Sequence, residues 1–243
     1  MARPQRFWSK RLPEDRQGPW DVIVIGSGMG GMTTAALLSK LGNKVLVLEQ
    51  HYVPGGFTHT FRRKGYEWDV GVHAVGEMSD QAMAGRVLGG LTDRRLKWAS
   101  LGESYDEFVW PDGLSIDFPD TPTKFRNNLI AAFPDEVGAI DAYLAGIKAV
   151  VRDMAGHWIS RVVPRRLSHL GDRLLRRGAR KHLDQTAAEF INGITDNPKL
   201  RAIFAAQWGY YGATPSKASW AMQALVVQHF KWGAYYPVGG SGE

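Results

Sequence analysis

The chain has 243 residues, a formal net charge of +6 and no cysteine. That length suits one large or two small domains, and the missing thiols exclude disulfides and cysteine-ligated metals. No run reaches the ~18 apolar residues of a membrane-spanning helix. Residues 1–20 are polar and basic, without the apolar core of a secretory signal. They read as a mobile basic arm, and the chain as cytoplasmic, with membrane association as the alternative.

The next stretch is the most informative. Val22 to Ile25 is a β-branched apolar run, expected to be a central parallel strand buried on both faces. Gly26, Gly28 and Gly31 follow at G-x-G-x-x-G spacing. The first glycine permits a tight turn, the second lets backbone approach a pyrophosphate, and the third lets helix pack on strand. A helix is predicted from about Gly30 to Lys40, its free N–H groups and positive dipole end facing the phosphates. Ser27 and Gly30 belong to the same turn. Ala35 and Leu38 continue the buried face, and Gly42 stops the helix. Val45 to Leu48 is the second strand, with Glu49 and Gln50 at its end. Glu49 is placed to accept hydrogen bonds from an adenosine ribose. Its charge disfavours a 2′-phosphate, which leaves NAD or FAD. Gly55 and Gly56, with Phe57 and Thr58 behind them, favour FAD, because glycine lets the loop lie against an extended cofactor.

Gly26–Glu49, then Pro54-Gly55-Gly56, then Gly65-Tyr66-Glu67-Trp68-Asp69-Val70-Gly71-Val72-His73 together resemble the N-terminal part of a flavoprotein family. That family contains phytoene desaturases, carotenoid cis–trans isomerases and retinol saturases, and His51 to His73 looks closest to the retinol saturase branch. The resemblance implies an α/β fold: a Rossmann-like FAD-binding unit of the glutathione-reductase type with an inserted α+β substrate domain. It implies FAD as cofactor and a hydrophobic isoprenoid substrate such as a carotenoid or retinoid, which is saturated, desaturated or isomerised. It places Asp69 and Gly71 on a strand near the flavin. His73 then becomes the candidate proton donor for C=C reduction, against the plainer reading of a packed histidine. His51 and His59 lack the helical spacing of a zinc site, and no metal site is expected. No Gly-x-Ser-x-Gly nucleophile elbow is present.

Beyond this, Tyr66 to Val70 reads as a strand. Tyr105–Trp110 and Leu114–Phe118 form a hairpin about Pro111-Asp112-Gly113. Helical spacing marks Phe125–Phe133, Val137–Met154, Ala187–Ile194, Leu200–Tyr211 and Pro215–Trp232. Between 152 and 181 stand nine Arg or Lys against two Asp, interleaved with apolar residues. Arg161 to Lys181 is therefore either the solvated face of a substrate domain or an amphipathic helix pair on an anionic bilayer. Nucleic acid is not an expected partner, because no recognition motif accompanies the charge. Aromatics crowd the last part, including Phe204, Trp208, Trp220, Phe230 and Trp232. They suit either a slot for a flat polyene or ordinary helix packing.

The expected division is an arm at 1–20, a nucleotide unit at 21–100 and a cap at 101–243. Chains of the resembled family are about twice as long, so the sequence reads as an N-terminal portion, with a complementary C-terminal chain as an expected partner. An amine-oxidase-like flavoprotein is the rival enzyme. A non-enzymatic escort for prenylated proteins is the rival binding protein, disfavoured by the intact glycines.

Overall fold

The computed structural model describes residues 8–12, 14, 17–72, 74–162 and 177–242. Its contacts divide the chain into a first unit, Met1–Ala99 with Tyr235–Glu243, and a second unit, Ser100–Ala234.

The first unit is built on a βαβ element. Strand β1 (Val22–Ile25) and strand β2 (Val45–Leu48) pair in parallel, Val22 opposite Val45 and Ile25 opposite Leu48. Helix α1 (Met29–Lys40) connects them. It stops at Gly42, whose φ of +90° suits glycine. The Asn43 N–H turns back to the Leu38 carbonyl at 3.1 Å. Expected burial of β1 on both faces is not met: Ile23 is 56% exposed and Ile25 87%. Side chains alternate along the strand, and α1 covers the face that holds Val24, which leaves the Ile23 and Ile25 face open among the described residues.

Strands β3 (Thr60–Arg63) and β4 (Tyr66–Asp69) form an antiparallel hairpin. Its two-residue turn, Lys64-Gly65, has positive φ at both positions, the geometry that matches strand twist. Helix α2 spans Met83–Leu91. Strand β5 (Trp98–Ser100) pairs with β8 (Tyr235–Pro237), where the chain leaves the first unit and re-enters it. Val75 and Tyr235 exchange backbone hydrogen bonds of 3.0 and 2.8 Å. These bonds draw Tyr235–Glu243 into the first unit, whereas the sequence reading carries the cap from 101 to 243.

The second unit opens with a hairpin, β6 (Ser104–Val109) and β7 (Ser115–Pro119). Helix α3 (Pro122–Ala132) begins with Thr121 as cap and proline in the first turn, a start favoured because proline has no N–H to lose there. Helix α4 (Val137–Val162) runs two turns past the Met154 end expected from spacing. Helix α5 is described over 177–184. Most of the basic stretch expected as an amphipathic pair, 163–176, lies outside the described residues. Among the described residues no helix is long and apolar enough to cross a membrane.

Helix α6 (Ala187–Asn192) carries a reciprocal cap between Thr186 and Glu189. Helix α7 (Pro198–Ala205) starts two residues earlier than its apolar spacing suggests, because the Asn197 side chain accepts from the Lys199 and Leu200 N–H groups. Helix α8 (Trp220–Phe230) starts later than Pro215, where Ser219 caps it. Leu129, Ile140, Val150, Leu200, Trp220 and Ala224 are completely buried at the centre of this unit. Each large apolar side chain buried there contributes about 1.5–3 kcal/mol. Tyr143 stacks on Phe204 at 4.0 Å, and Phe190 on Trp220 at 3.8 Å. Phe204, Trp220 and Phe230 are thus core rings, and the helix-packing alternative holds for them over the polyene slot.

Candidate nucleotide-binding site

The site grows from the end of β1. The Gly26 N–H completes the ladder to the Leu48 carbonyl at 2.7 Å. The chain then turns through Gly26 at φ +93°. Gly28 is the N-cap of α1, in extended conformation, with no side-chain cap and no acidic residue in the first turn. The dipole end of α1 is therefore not neutralised from within its own turn, which is the condition for holding an anion.

The glycines divide by what a Cβ would meet. At Gly31 it would fall 2.0 Å from the Gly26 carbonyl oxygen, so this glycine is fixed by helix–strand packing. At Gly56 it would lie 2.9 Å from the Gly28 Cα. Gly55 and Gly56 both have positive φ, and their turn rests against the start of α1. At Gly28 and Gly30 a Cβ would meet nothing within 4 Å. Packing does not demand glycine there, whereas close approach of a ligand to the backbone would. The residues present thus fit a pyrophosphate group.

A second network ties the glycine turn to the end of β2. Glu49 Oε2 accepts from the Ser27 N–H at 2.7 Å and from the Ser27 hydroxyl at 2.6 Å. Glu49 Oε1 accepts from the His51 N–H at 2.8 Å. The Ser27 oxygen in turn accepts from the Gly55 N–H at 2.9 Å. Ser27 is buried, at 1% exposure. These bonds, led by that from the Ser27 hydroxyl, hold the Glu49 carboxyl down to about 2. Position 49 is therefore a fixed anion near neutral pH. One oxygen is doubly engaged by Ser27, and Oε1 keeps a lone-pair site beyond His51. G-x-G spacing does not announce this lock; a serine between the first two glycines with an acid after the second strand is its only signal.

The other expected site residues are less closely joined. Gln50 is exposed, and Phe57 is 77% exposed. The backbone and Cβ of Phe57 crowd Gly71, where a Cβ would fall 2.9 Å away. The Thr58 hydroxyl closes its own turn on the Gly55 carbonyl at 2.7 Å. His73 lies outside the described residues. The His51 and His59 rings stand 4.8 Å apart. Asp69, which the resemblance puts beside a flavin, accepts from the Tyr236 hydroxyl at 2.8 Å and from the Ser241 N–H at 3.2 Å. The Ser241 hydroxyl adds a further bond. Sequence reasoning missed this clamp because its partners lie more than 160 residues away.

Residues 24–90 match a family model described as an NAD(P)-binding Rossmann-like domain. An all-trans-retinol 13,14-reductase from Danio rerio is 35% identical over 98% of this chain. The chain is thus similar to a retinol reductase over nearly its whole length. A chloroplastic prolycopene isomerase from an Oncidium hybrid cultivar is 35% identical over 118 residues, covering 48% of this chain and 20% of the isomerase. The chain spans 40% of the length of the Danio reductase. Among solved structures, a putrescine oxidase double mutant aligns with a TM-score of 0.58 over 91% of this chain and 46% of its own, at 18% identity. At that identity the likeness is one of fold, and it agrees with an α/β Rossmann-like architecture.

Proposed function

We propose that this chain is the cofactor-anchoring part of an FAD-dependent oxidoreductase that acts on carbon–carbon bonds of a retinoid or carotenoid. The observation that carries the proposal is the uncapped α1 start, with Gly28 and Gly30 open above it. In this reading the backbone N–H groups at the start of α1 hold the pyrophosphate. Glu49 Oε1 accepts from a ribose hydroxyl, while Ser27 keeps the carboxylate charged and oriented. That fixed charge works against a 2′-phosphate and so against NADP. Gly55 and Gly56 supply the flat backbone along which the rest of FAD extends. Gln50, Phe57 and Thr58 flank that path.

A bound flavin supplies hydride transfer. The protein's share is to place the double bond, exclude water and provide a proton, and His73 is assigned that last role. The sequence relatives favour an isoprenoid substrate over an amine. The exposed Ile23 and Ile25 face of β1 suits cover by a second polypeptide such as a complementary chain. Basic residues between Arg161 and Lys181 suit peripheral contact with anionic lipid.

The test is the visible absorption spectrum of the purified chain supplied with FAD. A protein-bound flavin spectrum is expected. A chain that is folded by circular dichroism yet takes up no FAD contradicts the proposal.

A further inference from the structure

The second unit holds a cavity of about 400 Å³ that the nucleotide site does not use. It opens between the β7–α3 corner, α4 and the end of α8. Its size falls within the usual range for small-molecule pockets, about 300–1,000 Å³. Phe118, Phe125 and Ile147 form an apolar floor and are themselves buried. Leu144 and Val227 continue that wall, and Trp232 stands half-exposed beside it.

The charged side chains that line this cavity are all of one sign. Among the described residues Arg126, Lys148 and Lys231 line it, and no carboxylate does. Arg126 is already satisfied, because it grips Asp141 through two bonds of 2.6 and 2.9 Å. Asp120, the other nearby acid, is engaged by Lys124. Lys148 and Lys231 form no ion pair among the described residues: Lys148 only lends its field to Asp141, which Arg126 already holds, and Lys231 lies 5.8 Å over the Trp232 ring. Two cations beside an apolar wall, neither in an ion pair among the described residues, suit an anion attached to something apolar.

We propose that this cavity binds a single-chain amphiphile with an anionic head, a carboxylate or a phosphate monoester. The apolar tail lies on Phe118, Phe125 and Ile147. The head pairs with Lys148 and Lys231. Asn127 and Gln228, also in the lining, offer amide donors to the same head. The pairing is strengthened beyond that of a surface ion pair by the apolar wall that excludes water on one side. This site is independent of the nucleotide reading, and its test reads binding rather than redox activity.

The experiment is calorimetric titration of the full chain with dodecanoate, dodecyl phosphate, dodecanol and inorganic phosphate, each below its micelle concentration. Dodecanoate and dodecyl phosphate are expected to bind at least about tenfold more tightly than dodecanol, the ratio that ~1.4 kcal/mol supplies. Inorganic phosphate, which lacks the tail, is expected to show no binding at the same concentrations. In a Lys148→Gln, Lys231→Gln double variant, both anions are expected to fall to the affinity of dodecanol. These lysines form no ion pair among the described residues, so the thermal midpoint of the variant should stay within a few degrees of that of the parent. Equal affinity for dodecanol and dodecanoate would overturn the proposal. So would an anion preference that survives in the folded double variant, or saturable binding of inorganic phosphate as tight as that of dodecyl phosphate.

Discussion

The two units solve the folding problem differently. Among the described residues the first unit buries only two apolar side chains, Ala35 and Pro237. Its order comes from backbone rules: a parallel ladder, a helix stop at Gly42, a two-residue hairpin turn and the Ser27–Glu49–Gly55 network. The second unit is organised by packing, around fully buried Leu129, Ile140, Leu200 and Trp220. A site that must offer open backbone to a ligand is thus drawn from the part with least side-chain packing. The part with most packing carries the apolar cavity.

Three substitutions or titrations can break this contrast. The largest effect is expected in the second unit. Trp220 is completely buried and stacked on Phe190. Trp220→Ala should therefore lower unfolding free energy by about 3–5 kcal/mol. Denaturant unfolding followed by tryptophan fluorescence measures this; a loss under ~1 kcal/mol would mean that the unit is not organised by its core.

An intermediate effect is expected in the first unit. Gly31→Ala drives a Cβ into the Gly26 carbonyl and should cost about 1–3 kcal/mol through forced backbone shifts. Thermal unfolding and FAD titration should show the loss together, since the same contact sets the turn. Normal stability with normal affinity would remove the helix–strand packing role of Gly31.

The smallest effect concerns protonation. Glu49 is held at about 2 in the folded chain, below the ordinary glutamate value of about 4.3. A carboxyl whose folded pKa is depressed contributes stability above its unfolded pKa, and loses it as pH falls through the folded one. The contribution of Glu49 should thus be complete at neutral pH and fade between about 4.3 and about 2. Its carboxyl carbon resonance should stay flat from pH 7 down to about 4 and titrate near 2. In Ser27→Ala the midpoint should rise toward the ordinary value. A parent midpoint near 4.3 would show that the lock does not form in solution.

What the sequence disclosed follows the same division. Val22–Ile25 and Val45–Leu48 were readable to the residue, because β-branched runs and a fixed-length βαβ spacing leave little choice. The hairpin about Pro111-Asp112-Gly113 was readable for its turn chemistry. Exposure of β1 was not, since a buried-strand pattern says what a strand prefers, not what covers each of its faces. Strand β8 and the Asp69 clamp were missed because both depend on partners distant in sequence. Ser219 and Asn197 shifted two helix starts through capping, which apolar spacing alone does not register. Within the candidate site, the glycines were legible as a motif. Their sorting into packing glycines and open ones required the Cβ directions.

That sorting supplies the most direct test of the central claim. Gly28 has an ordinary negative φ and open space where a Cβ would sit, so alanine should be tolerated there by the protein alone. FAD affinity of the full chain, measured by flavin fluorescence for the parent and for Gly28→Ala, is the decisive quantity. The account predicts saturable binding by the parent, weakened at least about tenfold in the variant, with the thermal midpoint unchanged. An unchanged affinity in Gly28→Ala, or no saturable binding by the folded parent, would contradict it.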